Sequence, residues 1–222
     1  MAKHLVLIAG NIGAGKTSLA DRLGQRLGWH AAYESVDDNP YLSDFYADMR
    51  MWSFHLQVFF LGHRAEQHQA LAALPESAII DRSIYEDAHI FARALYELNN
   101  MTERDYYAYR RLYALVVERL ARPDLLIYIE AGVPTLRAHI SRRGRAIEEG
   151  VSDDYLACLG RFYQEWIAGF DLCPVLTVPG DVLDFVRYPE HLEIIADRVL
   201  DKLSGKESVE FPGLGREGIH AR

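Results

Sequence analysis

Residues 10–17 read GNIGAGKT: Gly10, Asn11, Ile12, Gly13, Ala14, Gly15, Lys16 and Thr17. This is G-x-x-x-x-G-K-[ST] in full, and its surroundings agree with it. Just before it, His4–Ala9 is a short apolar run of the kind a buried strand shows. Just after it, Ser18 to Leu27 carries a helical pattern. In a strand–loop–helix unit of this sort the glycines let backbone N–H groups turn inward around a phosphate, and the helix N-terminus adds a partial positive charge. The stretch from Gly10 to Ser18 is therefore expected to cradle a nucleoside triphosphate. Lys16 reaches the β- and γ-phosphates and Thr17 binds Mg²⁺. An ordinary glycine turn is the competing reading, and the full motif in its full context speaks against it.

Working outward, similar apolar runs occur at Ala31–Glu34, Ser77–Ile80, Asp124–Ile129 and Val175–Val178, with longer helical patterns between them. Met51 to Ala73 reads as a long, largely buried helix. Thr102 opens another, with Asp105 in the capping position three residues on. Tyr106, Tyr109, Tyr113, Val116 and Leu120 then mark one face of it. Strands alternating with helices imply an α/β fold: a parallel sheet of about five strands with helices on both faces. From Ser204 the tail SGKESVEFPGLGREGIHAR is glycine-rich and aperiodic, so the division expected is a domain over 1–203 and a flexible appendage over 204–222.

Composition bounds the rest. A chain of 222 residues, half of them hydrophobic, is long enough for one sizeable core. A formal net charge of −8 without a long basic run argues against nucleic acid as the main partner. The two cysteines, Cys158 and Cys173, form no metal or redox spacing, which fits a reduced, cytoplasmic protein. The apolar run near the N-terminus is too short to span a membrane.

Among P-loop proteins, a guanine-reading N-K-x-D element is absent, and the chain is short for a motor or a transporter ATPase. A small kinase fits better. It needs a group to activate an acceptor hydroxyl, positive charge over the transferring phosphoryl group and an acceptor pocket. Glu34 and Arg82 both follow strands, and strand C-terminal ends face the ligand crevice of a doubly wound sheet. For Glu34 a solvent-facing loop acid remains the alternative. For Arg82 the alternative is a structural ion pair with its neighbour Asp81. Asp81 or Ser83 also suits a helix N-cap. Arg137, Arg142, Arg143 and Arg145, with Gly144 and Gly150, read as a mobile lid around 137–150. The competing reading is a solvated basic helix end.

Taken together, GNIGAGKTS, YES with NPYLSDFY, WSFHLQVFFLGHR, DRSIYEDAHIFA, RRGRAIEEG and GDVLDF resemble the deoxynucleoside kinase family over nearly the whole chain. The resemblance is strongest to its deoxyadenosine, deoxyguanosine and deoxycytidine kinase members. It implies a P-loop kinase fold, usually dimeric, here a homodimer, and transfer of the γ-phosphoryl of ATP to a deoxynucleoside 5′-hydroxyl with Mg²⁺. By resemblance, Glu34 takes the 5′-hydroxyl proton, Arg82 lies near the 5′-oxygen and the phosphates, and Asp81 helps hold Mg²⁺. Gln57 reads the base edge, and Arg64 with Asp87 borders the base. Tyr46 and Glu148 bind the sugar 3′-hydroxyl. Arg143 and Arg145 are lid arginines, and Phe185 lies in the loop that holds adenine. Trp52, Phe54, Phe59 and Phe60 divide between core and base contacts. Glu86 is given no role and reads as a solvated helix acid.

Two features depart from the family pattern. His139 stands where a further lid arginine is common, and the motif acid is Asp81 where many members have glutamate. The wording DRSIYED favours purine deoxynucleosides, with deoxycytidine also admitted. The alternatives are a nucleoside monophosphate kinase of the thymidylate kinase type, whose acceptor phosphate Glu34 would repel, and a non-catalytic P-loop scaffold.

Overall fold

The computed structural model describes residues 2–33, 39–145 and 150–206. Five strands form one sheet: β1 Leu5–Gly10, β2 His30–Ala32, β3 Ala78–Asp81, β4 Leu125–Glu130 and β5 Val175–Pro179. Their order is β2-β3-β1-β4-β5, and every neighbouring pair is parallel. The five expected strands are all present, each shifted by a residue or two at its ends.

The period-two alternation of β1 builds two cores. Leu5, Leu7 and Ala9 face one side of the sheet, and Val6 and Ile8 face the other. On the first side lie α3 (Met49–Ala73), α6 (Glu103–Val117) and α8 (Asp153–Ala168); on the second lie α1 (Lys16–Leu27), α7 (Val133–Arg143) and α9 (Pro189–Leu203). Among the described residues the remaining helical pieces are α2 (Leu42–Ala47), α4 (Ile84–Glu86) and α5 (Ala92–Glu97), with a π-helical turn, Asp87–Phe91, between α4 and α5.

Helix ends follow local chemistry. Thr102 caps α6 by accepting from Asp105 N–H, as its spacing predicts. Tyr109, Tyr113 and Leu120 are buried along the expected face. The long helix α3 differs from expectation. It buries a stripe (Ser53, Leu56, Gln57, Leu61, Arg64, His68 and Leu71), while Met51 is 62% exposed. Its apolar residues go round more of the helix than the core can cover.

Candidate active site

The P-loop joins β1 to α1. Gly13 (φ 81°) and Gly15 (φ 94°) adopt the left-handed backbone that glycine allows without strain. Space enforces the choice at Gly13, where a Cβ would lie 2.8 Å from Leu136 O and 2.9 Å from Ile140 Cγ1 of α7. His139 Nδ1 donates to Gly13 O at 2.8 Å, so α7 grips the loop apex. Asn11 pegs the loop to α8, donating from Nδ2 to Leu156 O at 2.8 Å. Lys16 is buried, with Nζ donating to Gly10 O (2.7 Å) and Asn11 O (3.0 Å). A Cβ on Gly15 would lie 3.2 Å from the ring of Phe185, which is itself buried behind the loop. Beside the loop a cavity of about 470 Å³ is lined by Thr17, Ser18, Asp21 and Tyr33.

β3 runs parallel to β1, so its C-terminal end comes up alongside the P-loop. Asp81, buried, accepts from Thr17 Oγ1 at 2.5 Å. A hydroxyl and a carboxylate beside a phosphate cradle suit a hard divalent cation that keeps waters and phosphate oxygens as its other ligands. Among the described residues no three His, Cys, Asp or Glu side chains gather into a closed metal cage.

Arg82 has φ 68°, a left-handed conformation in a non-glycine residue, and its guanidinium lies 4.3 Å from the centre of the Phe91 ring. Such strain costs on the order of 1–3 kcal/mol and gathers at functional sites. Ser83 caps α4 in a complete capping box with Glu86. Burial pushes the Tyr155 phenol up to about 12, while the nearby Arg82 charge draws it down. Tyr155 thus joins the Arg82 neighbourhood unannounced by any motif.

Glu86 overturns expectation. It is 0% exposed, not a solvated helix acid. Its Oε2 accepts from Ser83 N–H (3.0 Å), and its Oε1 accepts from Gly10 N–H (3.3 Å) and from the Tyr163 hydroxyl (2.7 Å). Burial raises its pKa, and Lys16, Arg82 and the Tyr163 hydrogen bond oppose that shift.

A second group lies on α3 and the π-helical turn. Gln57 and Arg64 are buried on one stripe of α3. Arg64 Nε donates to Asp87 Oδ2 at 2.9 Å, with side-chain exposures of 1% and 5%. Gln57 Oε1 is buried with no hydrogen-bond partner among the described residues. The π-helical turn spaces Asp87 and Phe91 so that the first meets Arg64 and the second underlies Arg82. Single π turns are frequent at functional sites. Tyr46, at the end of α2, is half exposed.

The arginine cluster divides. Arg137 donates from Nε to Asp153 Oδ1 (2.8 Å) and from Nη2 to Val151 O (2.7 Å), fastening α7 to the start of α8. It belongs to the frame, which leaves Arg142, Arg143 and Arg145 exposed at and beyond the end of α7. Gly144 (φ 62°) closes that helix as a left-handed cap. Glu34, Glu148 and residues 207–222 of the tail lie outside the described residues.

Comparison with known proteins settles the family. The sequence model of the deoxynucleoside kinases matches residues 6–204. The chain belongs to the deoxynucleoside kinase family. It is similar to deoxyadenosine/deoxycytidine kinase of Bacillus subtilis, at 36% identity over 197 residues, 88% of this chain and 91% of that protein. It is also similar to deoxyguanosine kinase of Lactobacillus acidophilus, at 37% identity over 218 residues, 94% of this chain and 93% of that protein. The solved structure of deoxyadenosine kinase from M. mycoides, with the products dCMP and a flexible dCDP bound, matches with a TM-score of 0.78. Its identity is 29%, covering 89% of this chain and 99% of that one. The fold is the P-loop kinase fold and the protein is an enzyme, a deoxynucleoside kinase that uses a nucleotide phosphoryl donor. The relatives named act as nucleoside kinases, so a monophosphate kinase is not favoured. No described helix is long and apolar enough to cross a membrane.

Proposed function

We propose that this deoxynucleoside kinase transfers the γ-phosphoryl of Mg-ATP to the 5′-hydroxyl of a purine deoxynucleoside, with deoxycytidine as a secondary acceptor. The carrying observation is the buried Gln57, Arg64 and Asp87 group, set on α3 and on the π-helical turn that follows Asp81–Arg82. A side-chain amide with an orphan acceptor, next to a guanidinium–carboxylate pair, offers both donors and acceptors to a base edge. The names of the relatives, spanning deoxyadenosine, deoxyguanosine and deoxycytidine kinases, support the same range.

In this reading Glu34 takes the proton from the 5′-hydroxyl, and Lys16 and Arg82 stabilise charge on the transferring group. Thr17 and Asp81 hold Mg²⁺, which would supply charge neutralisation on the phosphates. Tyr46 and Glu148 hold the sugar. Arg143 and Arg145 close over ATP as a lid on the end of α7, and Phe185 backs the loop at the adenine side. Residues 1–203 form the catalytic domain and 204–222 an appendage to it.

The enzyme acts as a homodimer in the cytoplasm. Its two free cysteines suit a reducing compartment. The open face of α6, where Tyr107, Leu112 and Leu115 are exposed, supports self-association. The test is kcat/KM for the four deoxynucleosides with Mg-ATP. Deoxyadenosine or deoxyguanosine should lead, deoxycytidine should follow, and thymidine should trail. A thymidine preference would overturn the assignment of Gln57, Arg64 and Asp87.

A further inference from the structure

The ladder between β1 and β3 reaches Ile8 and Asp81, and Arg82 N–H donates to Ile8 O at 3.3 Å. Two residues further along β1, Gly10 N–H turns to a side chain. It meets Glu86 Oε1 at 3.3 Å. The same oxygen accepts the Tyr163 hydroxyl from α8, and Oε2 accepts Ser83 N–H. One carboxylate thus joins the first residue of the P-loop, the turn just after Asp81–Arg82 and helix α8.

A capping box alone does not require this arrangement. Capping needs one carboxylate oxygen at the N-cap N–H and is satisfied at a surface. Here the whole side chain is enclosed, and the second oxygen is turned into the P-loop. An enclosed carboxylate is costly unless its neighbours are matched to it. Lys16 and Arg82 are near enough to favour its charged form, against the burial that raises its pKa.

The geometry points to Glu86 as a positioning residue for phosphoryl transfer, its carboxylate fixing the start of the P-loop against the Asp81–Arg82 turn. It touches neither substrate. It acts by keeping Lys16, carried by the loop, and Arg82, carried by the turn, converging on one phosphoryl group. The Thr17–Asp81 contact is the second tie across the same gap. Misplacement of reacting groups by about 1 Å costs on the order of 100-fold in rate.

Glu86→Gln is the direct test, because it keeps size and removes an acceptor. An amide has one acceptor oxygen and one donor NH₂. In either orientation the NH₂ faces a backbone N–H, that of Ser83 or that of Gly10, and that tie breaks. The inference rests on the deoxynucleoside kinase reading above. Failure of that reading would show as wild-type protein that phosphorylates no deoxynucleoside, independently of any variant.

With active wild type, Glu86→Gln should lower kcat by roughly 10- to 100-fold, while KM for the deoxynucleoside stays within about threefold. Val199→Ala, a buried change on α9, supplies a stability control and should keep kcat at a comparable loss in Tm. Glu86→Gln kcat within about threefold of wild type, or a loss that Val199→Ala reproduces, overturns the inference. If Glu86→Gln does not fold, Glu86→Asp decides. It keeps the charge but is too short to reach both N–H groups, so kcat should fall about tenfold or more with KM held, and an unchanged kcat overturns the inference.

Discussion

Replacing Asp87 by Ala leaves the Arg64 guanidinium, 1% exposed, without the carboxylate that accepts from it at 2.9 Å. Breaking a buried pair by removing one partner costs about 3–5 kcal/mol, because the remaining charge stays desolvated. Replacing both partners by apolar residues of similar volume is often neutral. Arg64→Met with Asp87→Leu should therefore recover most of the loss, and urea unfolding followed by circular dichroism measures it. Activity should not recover. If the pair gives the base two charge-assisted hydrogen bonds, each worth about 1.5–3 kcal/mol, kcat/KM for deoxyadenosine falls by more than about 100-fold. A double variant that is stable and phosphorylates deoxyadenosine as well as wild type would refute the assignment and leave the pair a structural one.

Three further outcomes are expected. Gly13→Ala forces a Cβ against Leu136 O and Ile140 Cγ1 at a φ of 81°, so KM for ATP should rise roughly 10-fold or more while KM for the deoxynucleoside holds; an unchanged KM for ATP would remove Gly13 from the cradle. His89, stacked on Trp166, has its pKa lowered to about 4 by burial first and then by Arg110 and Arg93. The folded state prefers the neutral ring, so this stabilisation is complete above the ordinary value of 6.5 and is lost as pH falls from there towards 4. About 3 kcal/mol of pH-dependent stability is at stake, and His89→Phe should flatten the unfolding free energy across that window; a persisting slope would place it elsewhere. Glu34→Gln should bind deoxynucleoside in calorimetry yet lose about 100-fold or more in kcat; a surviving rate would show that Glu34 is not the base.

The sequence showed most clearly what local pattern determines. The P-loop is contiguous, the strands are short apolar runs, and Thr102 lies three residues from the N–H it caps. The burial of Glu86 is hidden from the sequence because its environment is assembled from afar: Gly10 and Tyr163 lie 76 and 77 residues away along the chain. A capping-box acid looks the same in sequence whether it faces water or a P-loop. Arg137 sits beside the lid arginines in sequence, and its partner Asp153 lies sixteen residues on; only geometry shows that it fastens α7 to α8. The π-helical turn has no pattern of its own, since Asp87–Phe91 reads as ordinary helix and reveals itself only through what Asp87 and Phe91 each support.

The most direct test follows the phosphorus. Protein, Mg²⁺ and ATP labelled at the γ-phosphate are incubated with deoxyadenosine, and separately with deoxyadenosine 5′-monophosphate, and the labelled product is identified. The account predicts label in deoxyadenosine 5′-monophosphate from the first reaction and little from the second. Label appearing only as diphosphate from the second reaction, or in neither acceptor, would contradict it.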